Sequence, residues 1–221
     1  MSTPAEAIAA NVVSVRDRIG AAARRAGRDP DVVTLVGAAK TIPAETVATV
    51  VAAGVPDIGE NRAQELLAKA PVLSTGPHQP RWHFIGGLQR NKVRALAPWV
   101  QLWHSVDREP LGAAIARHAP GARVLVEVNL GEEASKAGCA KSDVPALVDV
   151  LRDLGLSVEG LMTVPPADSE PRRWFAALAE LAARVDVDEL SMGMSDDLEA
   201  AVEEGATIVR VGRALFGPRA V

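Results

Sequence analysis

The chain alternates short apolar segments with longer amphipathic segments from residue 33 to its end. The apolar segments are rich in strand-forming residues and have the length of buried strands, whereas the amphipathic segments are rich in alanine and repeat with helical period. Gly or Pro follows most of the amphipathic segments and marks the expected end of a helix. The pattern predicts eight strands, at residues 33–39, 55–59, 82–86, 102–106, 123–130, 157–163, 189–194 and 207–212.

Helices are predicted between these strands and before the first of them. A helix over residues 4–26 is indicated by Ile8, Val12, Val15 and Ile19, which recur at helical spacing. The other helices are predicted at residues 43–53, 61–70, 88–97, 110–118, 143–154, 171–185 and 196–204.

Strands that alternate with helices predict a parallel sheet with right-handed crossovers. Eight such units predict an α/β fold, a single (β/α)8 TIM-type barrel with an additional N-terminal helix, which forms one domain over residues 1–221. An open, doubly wound sheet is the alternative, because the sequence does not show whether the sheet closes.

Lys40 ends the first predicted strand and lies just before Pro43. Proline has a fixed φ and no N–H, so Pro43 begins the next element and Lys40 lies at the C-terminal end of its strand. In a barrel, chemistry takes place at that face. A half-desolvated amine there is a candidate nucleophile for Schiff-base formation, although a lone lysine at a strand end is most often simply solvated.

The seventh and eighth predicted strands end in segments rich in polar and small residues, and the candidates in these segments are Ser191, Met192, Ser195, Arg210, Gly212 and Arg213. The loops after these two strands form the usual phosphate site of such barrels, because backbone N–H groups can approach an anion there. Ser195 is alternatively a plain N-cap of the helix at 196–204, and Gly212 is alternatively only part of a tight turn.

A lysine amine and a phosphate site at one mouth suggest a ligand that carries both an aldehyde and a phosphate. Pyridoxal 5′-phosphate (PLP) is the common cofactor with both groups, and Arg210 is available to face its ring or its phosphate. A sugar-phosphate aldolase with a Schiff-base lysine also fits, but in that class the lysine usually lies on a later strand.

A series of short motifs runs along nearly the whole chain. They are LVGAAKT at 35–41, GEN at 59–61, WHFIG at 82–86, HSVD at 104–107, GLM at 160–162, LSMGMS at 190–195 and VRVG at 209–212. In kind and order they resemble the motifs of the YggS-like pyridoxal phosphate homeostasis proteins. The resemblance implies a barrel similar to the N-terminal domain of alanine racemase, with PLP held as a Schiff base on Lys40.

The motifs and the strand ends together predict a set of cofactor-binding residues. The set is Lys40, Asn61, His83, Ser191, Met192, Ser195, Arg210, Gly212 and Arg213. His83 is alternatively a packed or hydrogen-bonded residue, as a lone histidine near a strand end more often is. The family often has a small residue where this chain has Arg213, which would add a cation beside the phosphate.

Composition favours a cofactor carrier over an enzyme. A racemase of the alanine racemase type uses a lysine and a tyrosine on opposite faces of the cofactor, and this chain contains no tyrosine. We also expect no second domain to complete a substrate pocket. An arginine at the ring nitrogen would leave that nitrogen unprotonated and make the ring a poorer electron sink. We therefore expect a PLP-binding protein of intracellular PLP homeostasis without robust turnover; the alternative is a PLP-dependent amino-acid racemase or decarboxylase with weak activity.

The charge and the cysteine content exclude several other classes of protein and of site. The net charge of −4 argues against nucleic-acid binding, and no stretch approaches the length of a transmembrane helix. The single cysteine excludes an intramolecular disulfide, and no histidine pair has metal-ligand spacing, so no metal is expected. We expect a cytoplasmic monomer whose partners are PLP and, transiently, apo PLP-dependent enzymes; a scaffold for a protein partner is a weaker hypothesis.

Overall fold

Eight parallel strands close into a barrel in the computed structural model, which describes residues 3–133, 136–167 and 169–217. The strands are β1 (Thr34–Ala38), β2 (Asp57–Glu60), β3 (Arg81–Phe84), β4 (Val100–Val106), β5 (Arg123–Glu127), β6 (Ser157–Met162), β7 (Glu189–Ser191) and β8 (Ile208–Val211). Each strand pairs with the next, and β8 closes on β1 with Ile208 opposite Thr34. The predicted closed barrel is confirmed, and the open sheet is excluded.

Helices surround the barrel in the alternating order that the sequence predicts. They are α1 (Pro4–Arg25), α2 (Ala44–Ala52), α3 (Ala63–Leu73), α4 (Arg90–Leu96), α5 (Glu109–His118), α6 (Val144–Asp153), α7 (Arg172–Arg184), α8 (Leu198–Glu203) and α9 (Arg213–Phe216). Short 3-10 turns cover Pro30–Val32 and Lys141–Asp143. None of these described helices is long and apolar enough to cross a membrane.

The N-terminal helix α1 packs against three other helices, α2, α8 and α9. A capping box between Thr3 and Glu6 begins it, and its apolar stripe is buried against α2, α8 and α9. Arg18 on its polar side forms a salt bridge of 2.6 Å with Glu199, and the Asn11 amide donates to the carbonyl oxygen of Leu215 at 3.0 Å. The additional N-terminal helix is thereby confirmed as part of the fold.

Two helix predictions differ from the structure, and one further helix was not predicted. Helix α3 continues through Pro71 to Leu73, since a proline in the last turn removes only one backbone hydrogen bond. Helix α8 begins later than predicted, with Asp197 rather than Ser195 at its N-cap, so the N-cap interpretation of Ser195 is wrong. Helix α9 was not predicted, because four residues are too few to show a helical period.

The barrel interior is apolar at one level and polar at the next. Five apolar side chains form a cluster separate from the layer between sheet and helices: Val36, Leu102, Leu125, Met162 and Ile208. Side chains two positions apart in a strand share a face, so His104 and Arg210 follow Leu102 and Ile208 on the inner face. Both are buried, and they place polar groups beneath the C-terminal mouth.

Candidate functional site

A cavity of about 330 Å³ opens at the C-terminal ends of the strands. Residues at or just after the ends of β1, β2, β3, β6, β7 and β8 line it, among them Arg210 of β8. Six of the nine residues predicted for the cofactor site meet there: Lys40, Asn61, Ser195, Arg210, Gly212 and Arg213. This is the mouth at which a barrel of this type carries its chemistry.

Lys40 follows β1 by two residues and contributes a half-buried side chain to the cavity. Within the described ranges its amine forms no hydrogen bond or salt bridge. Thr41, the next residue, has a φ of 65°, a left-handed conformation that is uncommon for a residue with a side chain. The sharp turn thus ends the strand and leaves the amine available to a ligand.

One buried charged cluster holds the main chain on both sides of Lys40. The Lys69 ammonium donates to the carbonyl oxygen of Ala39 at 2.9 Å and to the Glu60 carboxylate at 2.5 Å. The Thr41 N–H donates to the Glu65 carboxylate at 2.6 Å. Helix α3 therefore anchors the segment that carries Lys40.

Glu60 is the most deeply buried member of this cluster. Burial raises its pKa to about 7, although the hydrogen bond from Lys69 acts in the opposite direction. Its second carboxylate oxygen has no hydrogen-bond partner among the described residues. Sequence reasoning missed the cluster, and the available signal was the four-residue spacing of Glu65 and Lys69 on one helix face.

Four of the residues that line the cavity have backbone N–H groups without an acceptor in the chain. The N–H groups of Ser195, Asp196, Gly212 and Arg213 donate no hydrogen bond to another residue in the described part of the chain. Clustered free N–H groups favour a bound anion. A Cβ at Gly212 would meet only Ala38, at 3.5 Å, so packing within the chain does not require glycine there.

Two side chains at this rim are already engaged. The Arg213 guanidinium pairs with the Asp196 carboxylate, and both groups are largely exposed. The Ser195 hydroxyl oxygen accepts a long hydrogen bond of 3.4 Å from the N–H of Ala214. Arg213 therefore reaches the cavity as half of an ion pair, so the free N–H groups are the stronger candidates for anion contact.

Arg210 is a buried cation beneath the cavity. Its guanidinium donates to the Ser191 hydroxyl oxygen at 2.6 Å and to the Thr163 carbonyl oxygen at 2.9 Å. Burial lowers its pKa to about 10, while Glu127 and Asp197 favour the charged form. The group consequently stays protonated at neutral pH and can only donate hydrogen bonds.

The other three predicted site residues do not line the cavity. Met192 is fully buried in the core between sheet and helices. Ser191 lies beneath Arg210 and is its hydrogen-bond acceptor. His83 lies deeper still, where its ring contacts His104 and Asp57. For His83, the hydrogen-bonded alternative describes its position in the structure.

Glu127 at the end of β5 is an acidic group near this site that the sequence did not single out as a site residue. Burial raises its pKa to about 7, Asp107 raises it further, and Arg210 opposes the shift. In the described ranges, no group of three or more His, Cys, Asp and Glu side chains is placed to hold a metal ion.

Comparison with known proteins agrees with this geometry. The family model described as alanine racemase, N-terminal domain, matches residues 5–220. The pyridoxal phosphate homeostasis protein of Pseudomonas aeruginosa is 45% identical over 96% of both chains, and that of Escherichia coli K12 is 37% identical over 96% of this chain and 97% of its own. The structure of PipY from Synechococcus elongatus PCC7942 with PLP bound superposes with a TM-score of 0.79 at 33% identity, over 95% of this chain and all of PipY.

The fold is therefore that of the alanine racemase N-terminal domain. The chain belongs to the pyridoxal phosphate homeostasis protein family. The resemblance predicted from the motifs is confirmed.

Proposed function

We propose that this chain binds PLP at the cavity described above and serves PLP homeostasis by storing the cofactor and delivering it to apo-enzymes. The observation that carries the proposal is the meeting of three different groups at one cavity. These are the unpaired amine of Lys40, the buried guanidinium of Arg210 and the free N–H groups at Ser195–Asp196 and Gly212–Arg213.

The three groups match the three chemical features of PLP. The free N–H groups suit its phosphate, Arg210 suits a ring nitrogen that accepts a hydrogen bond, and the Lys40 amine suits its aldehyde. When bound, PLP supplies an aldehyde that forms a Schiff base with Lys40 by loss of water. Water reverses that bond, so the cofactor is held and yet released.

Arg210 favours a carrier over a catalyst. A cationic donor facing the ring nitrogen leaves that nitrogen unprotonated, and an unprotonated ring withdraws electrons poorly. The sequence also contains no tyrosine to serve as a second acid or base opposite the lysine. We further propose that the protein works in the cytoplasm as a monomer and transfers PLP in transient contacts with apo-enzymes.

The assignment of Lys40 is tested by reduction of the loaded protein with borohydride. The protein as purified should be yellow, borohydride should abolish the visible band, and peptide mapping should place the label on the peptide that contains Lys40. Lys40→Ala should remove the band, whereas Lys141→Ala, a lysine that does not line the cavity, should keep it. Labelling mainly at Lys92 or Lys136 would contradict the assignment.

A further inference from the structure

A continuous chain of hydrogen bonds crosses the interior of the barrel. The Ser191 hydroxyl lies 2.6 Å from Arg210 Nη1 and 2.8 Å from His104 Nδ1. His104 Nε2 lies 2.9 Å from His83 Nδ1, and His83 Nε2 lies 3.1 Å from Asp57 Oδ1. We call these five residues, which come from β8, β7, β4, β3 and β2, the interior relay.

The interior relay joins the cavity to the opposite end of the barrel. Arg210 lines the cavity at the C-terminal mouth, whereas Asp57 is the first residue of β2. All five members are buried, and the most exposed of them, Asp57, is only 7% accessible to solvent. Arg81 covers the far end and donates twice to the Asp57 carboxylate, at 2.8 and 2.5 Å.

The chemistry of the two ends fixes the direction of the hydrogen bond at each end of the relay. Burial alone would raise the pKa of Asp57, but hydrogen bonds from Arg81 and His83 outweigh it and hold the pKa at about 2, so this carboxylate only accepts. Burial, His83 and Arg210 keep the pKa of His104 well below its usual value, so this ring is neutral. Arg210 at the other end only donates.

His83 Nε2 donates to the Asp57 carboxylate, and His83 Nδ1 shares a hydrogen bond with His104 Nε2. A neutral imidazole donates from one nitrogen and accepts at the other, so His104 uses both of its nitrogens, one toward His83 and one toward the Ser191 hydroxyl. The Ser191 oxygen accepts from Arg210. Four hydrogen bonds therefore connect Arg210 to Asp57 without a break, and such chains strengthen each member by mutual polarisation.

We propose that Ser191, His104, His83 and Asp57 are positioning residues that hold the Arg210 guanidinium in the orientation in which it donates to the ring nitrogen of bound PLP. The inference rests on the proposed function. The polarised Ser191 oxygen and the Thr163 carbonyl oxygen fix two Nη groups of Arg210. The guanidinium is thus aimed before the cofactor arrives, which lowers the cost of ordering it on binding.

The test breaks the interior relay at each end and measures the hydrogen bonding and the release of PLP at the cavity. Ser191→Ala removes the acceptor next to Arg210, and Asp57→Asn removes the charge at the far end while keeping an acceptor oxygen. Glu159→Gln is the matched control, because Glu159 forms a similar carboxylate–arginine pair with Arg123 at 2.5 Å outside the relay. Each protein is loaded with PLP labelled with 15N in its ring.

Two readouts are recorded: the chemical shift of the ring 15N and the rate constant of PLP release, with excess apo-enzyme as the trap. Both relay variants should move the resonance to lower shielding, as expected for a weaker hydrogen bond, and should speed release by about threefold to tenfold. The control should match the wild type. Circular dichroism and thermal unfolding identify any variant that does not fold. If Asp57→Asn does not fold, the result for Ser191→Ala decides the test.

Three outcomes would overturn the inference. Folded relay variants that keep the wild-type resonance and release rate would overturn it outright. A change in Ser191→Ala with none in folded Asp57→Asn would overturn the role of the far end. If the wild-type protein holds no PLP, the proposed function fails and the inference fails with it. If the wild-type protein holds PLP and the folded relay variants behave like it, only the inference fails.

Discussion

Lys69 donates a hydrogen bond of 2.9 Å to the carbonyl oxygen of Ala39, the residue directly before Lys40. The residue directly after Lys40 is held by Glu65 of the same helix, α3. Two contacts from one helix therefore bracket the lysine, and the charge of Lys69 is balanced by the buried Glu60. The position of the Lys40 amine consequently depends on a salt bridge that does not touch the cavity.

Replacing Lys69 with methionine tests this dependence. Lys69→Met leaves Glu60 buried without its cation, so we expect a loss of about 3 kcal/mol in the free energy of unfolding. The main chain at Ala39 also loses its anchor, and the visible band should form more slowly when PLP is added. Urea unfolding and stopped-flow absorbance measure the two effects. Lys141→Met serves as the control, and wild-type behaviour in both measurements would contradict the anchoring role.

The raised pKa of Glu127 predicts a specific dependence of stability on pH. The folded protein holds this proton up to about pH 7, whereas the unfolded chain releases it near the ordinary glutamate pKa of 4.5. Between these values the folded state binds more protons, so the contribution of Glu127 to stability falls as the pH rises and is constant above the window. Asp107 and Arg210 are the charged groups that face it.

Glu127→Gln should remove this penalty. We expect the variant to be more stable than the wild type by about 1–3 kcal/mol at pH 8, with the difference vanishing below pH 4.5. Urea unfolding at a series of pH values measures it, and Glu180→Gln on the exposed face of α7 is the control. A constant difference across the whole pH range would refute the predicted linkage.

Gly212 allows a test of the phosphate contact. A Cβ there meets no close neighbour in the chain, so Gly212→Val should fold, while its added bulk at the cavity should obstruct the free N–H groups. Affinity for PLP should fall by about tenfold or more, and affinity for unphosphorylated pyridoxal should change much less. Gly87→Val, at a glycine with open space around its Cβ and outside this cavity, is the control. Equal losses for both ligands would place the phosphate elsewhere.

The carrier function predicts transfer without turnover. Loaded protein mixed with an apo PLP-dependent enzyme should restore the activity of that enzyme. The protein alone should show little or no racemisation or decarboxylation of common amino acids, because the chain has no tyrosine and because, in the proposed binding mode, Arg210 donates to the ring nitrogen. A coupled activity assay and chiral amino-acid analysis measure the two properties. Rapid racemisation by the isolated chain would favour the enzyme alternative.

The sequence by itself determined the order and type of the main elements and the end of the barrel at which Lys40 lies. These features depend on local physics: the hydrophobic period along each segment, and the Gly and Pro residues that end it. Eight strand–helix units predicted a barrel, but only the structure shows that β8 closes on β1.

Only the tertiary structure decided which polar side chains meet inside the barrel. His104 and Ser191 are 87 residues apart, and Glu60 at the end of β2 pairs with Lys69 on α3. The period of apolar and polar positions along the chain shows which face of a strand a residue occupies. The closure and the register of the sheet decide which residues lie next to it across the interior. His83 and Ser191 were therefore assigned to direct cofactor contact from their strand positions, whereas the closed barrel places them in a chain of hydrogen bonds beneath Arg210.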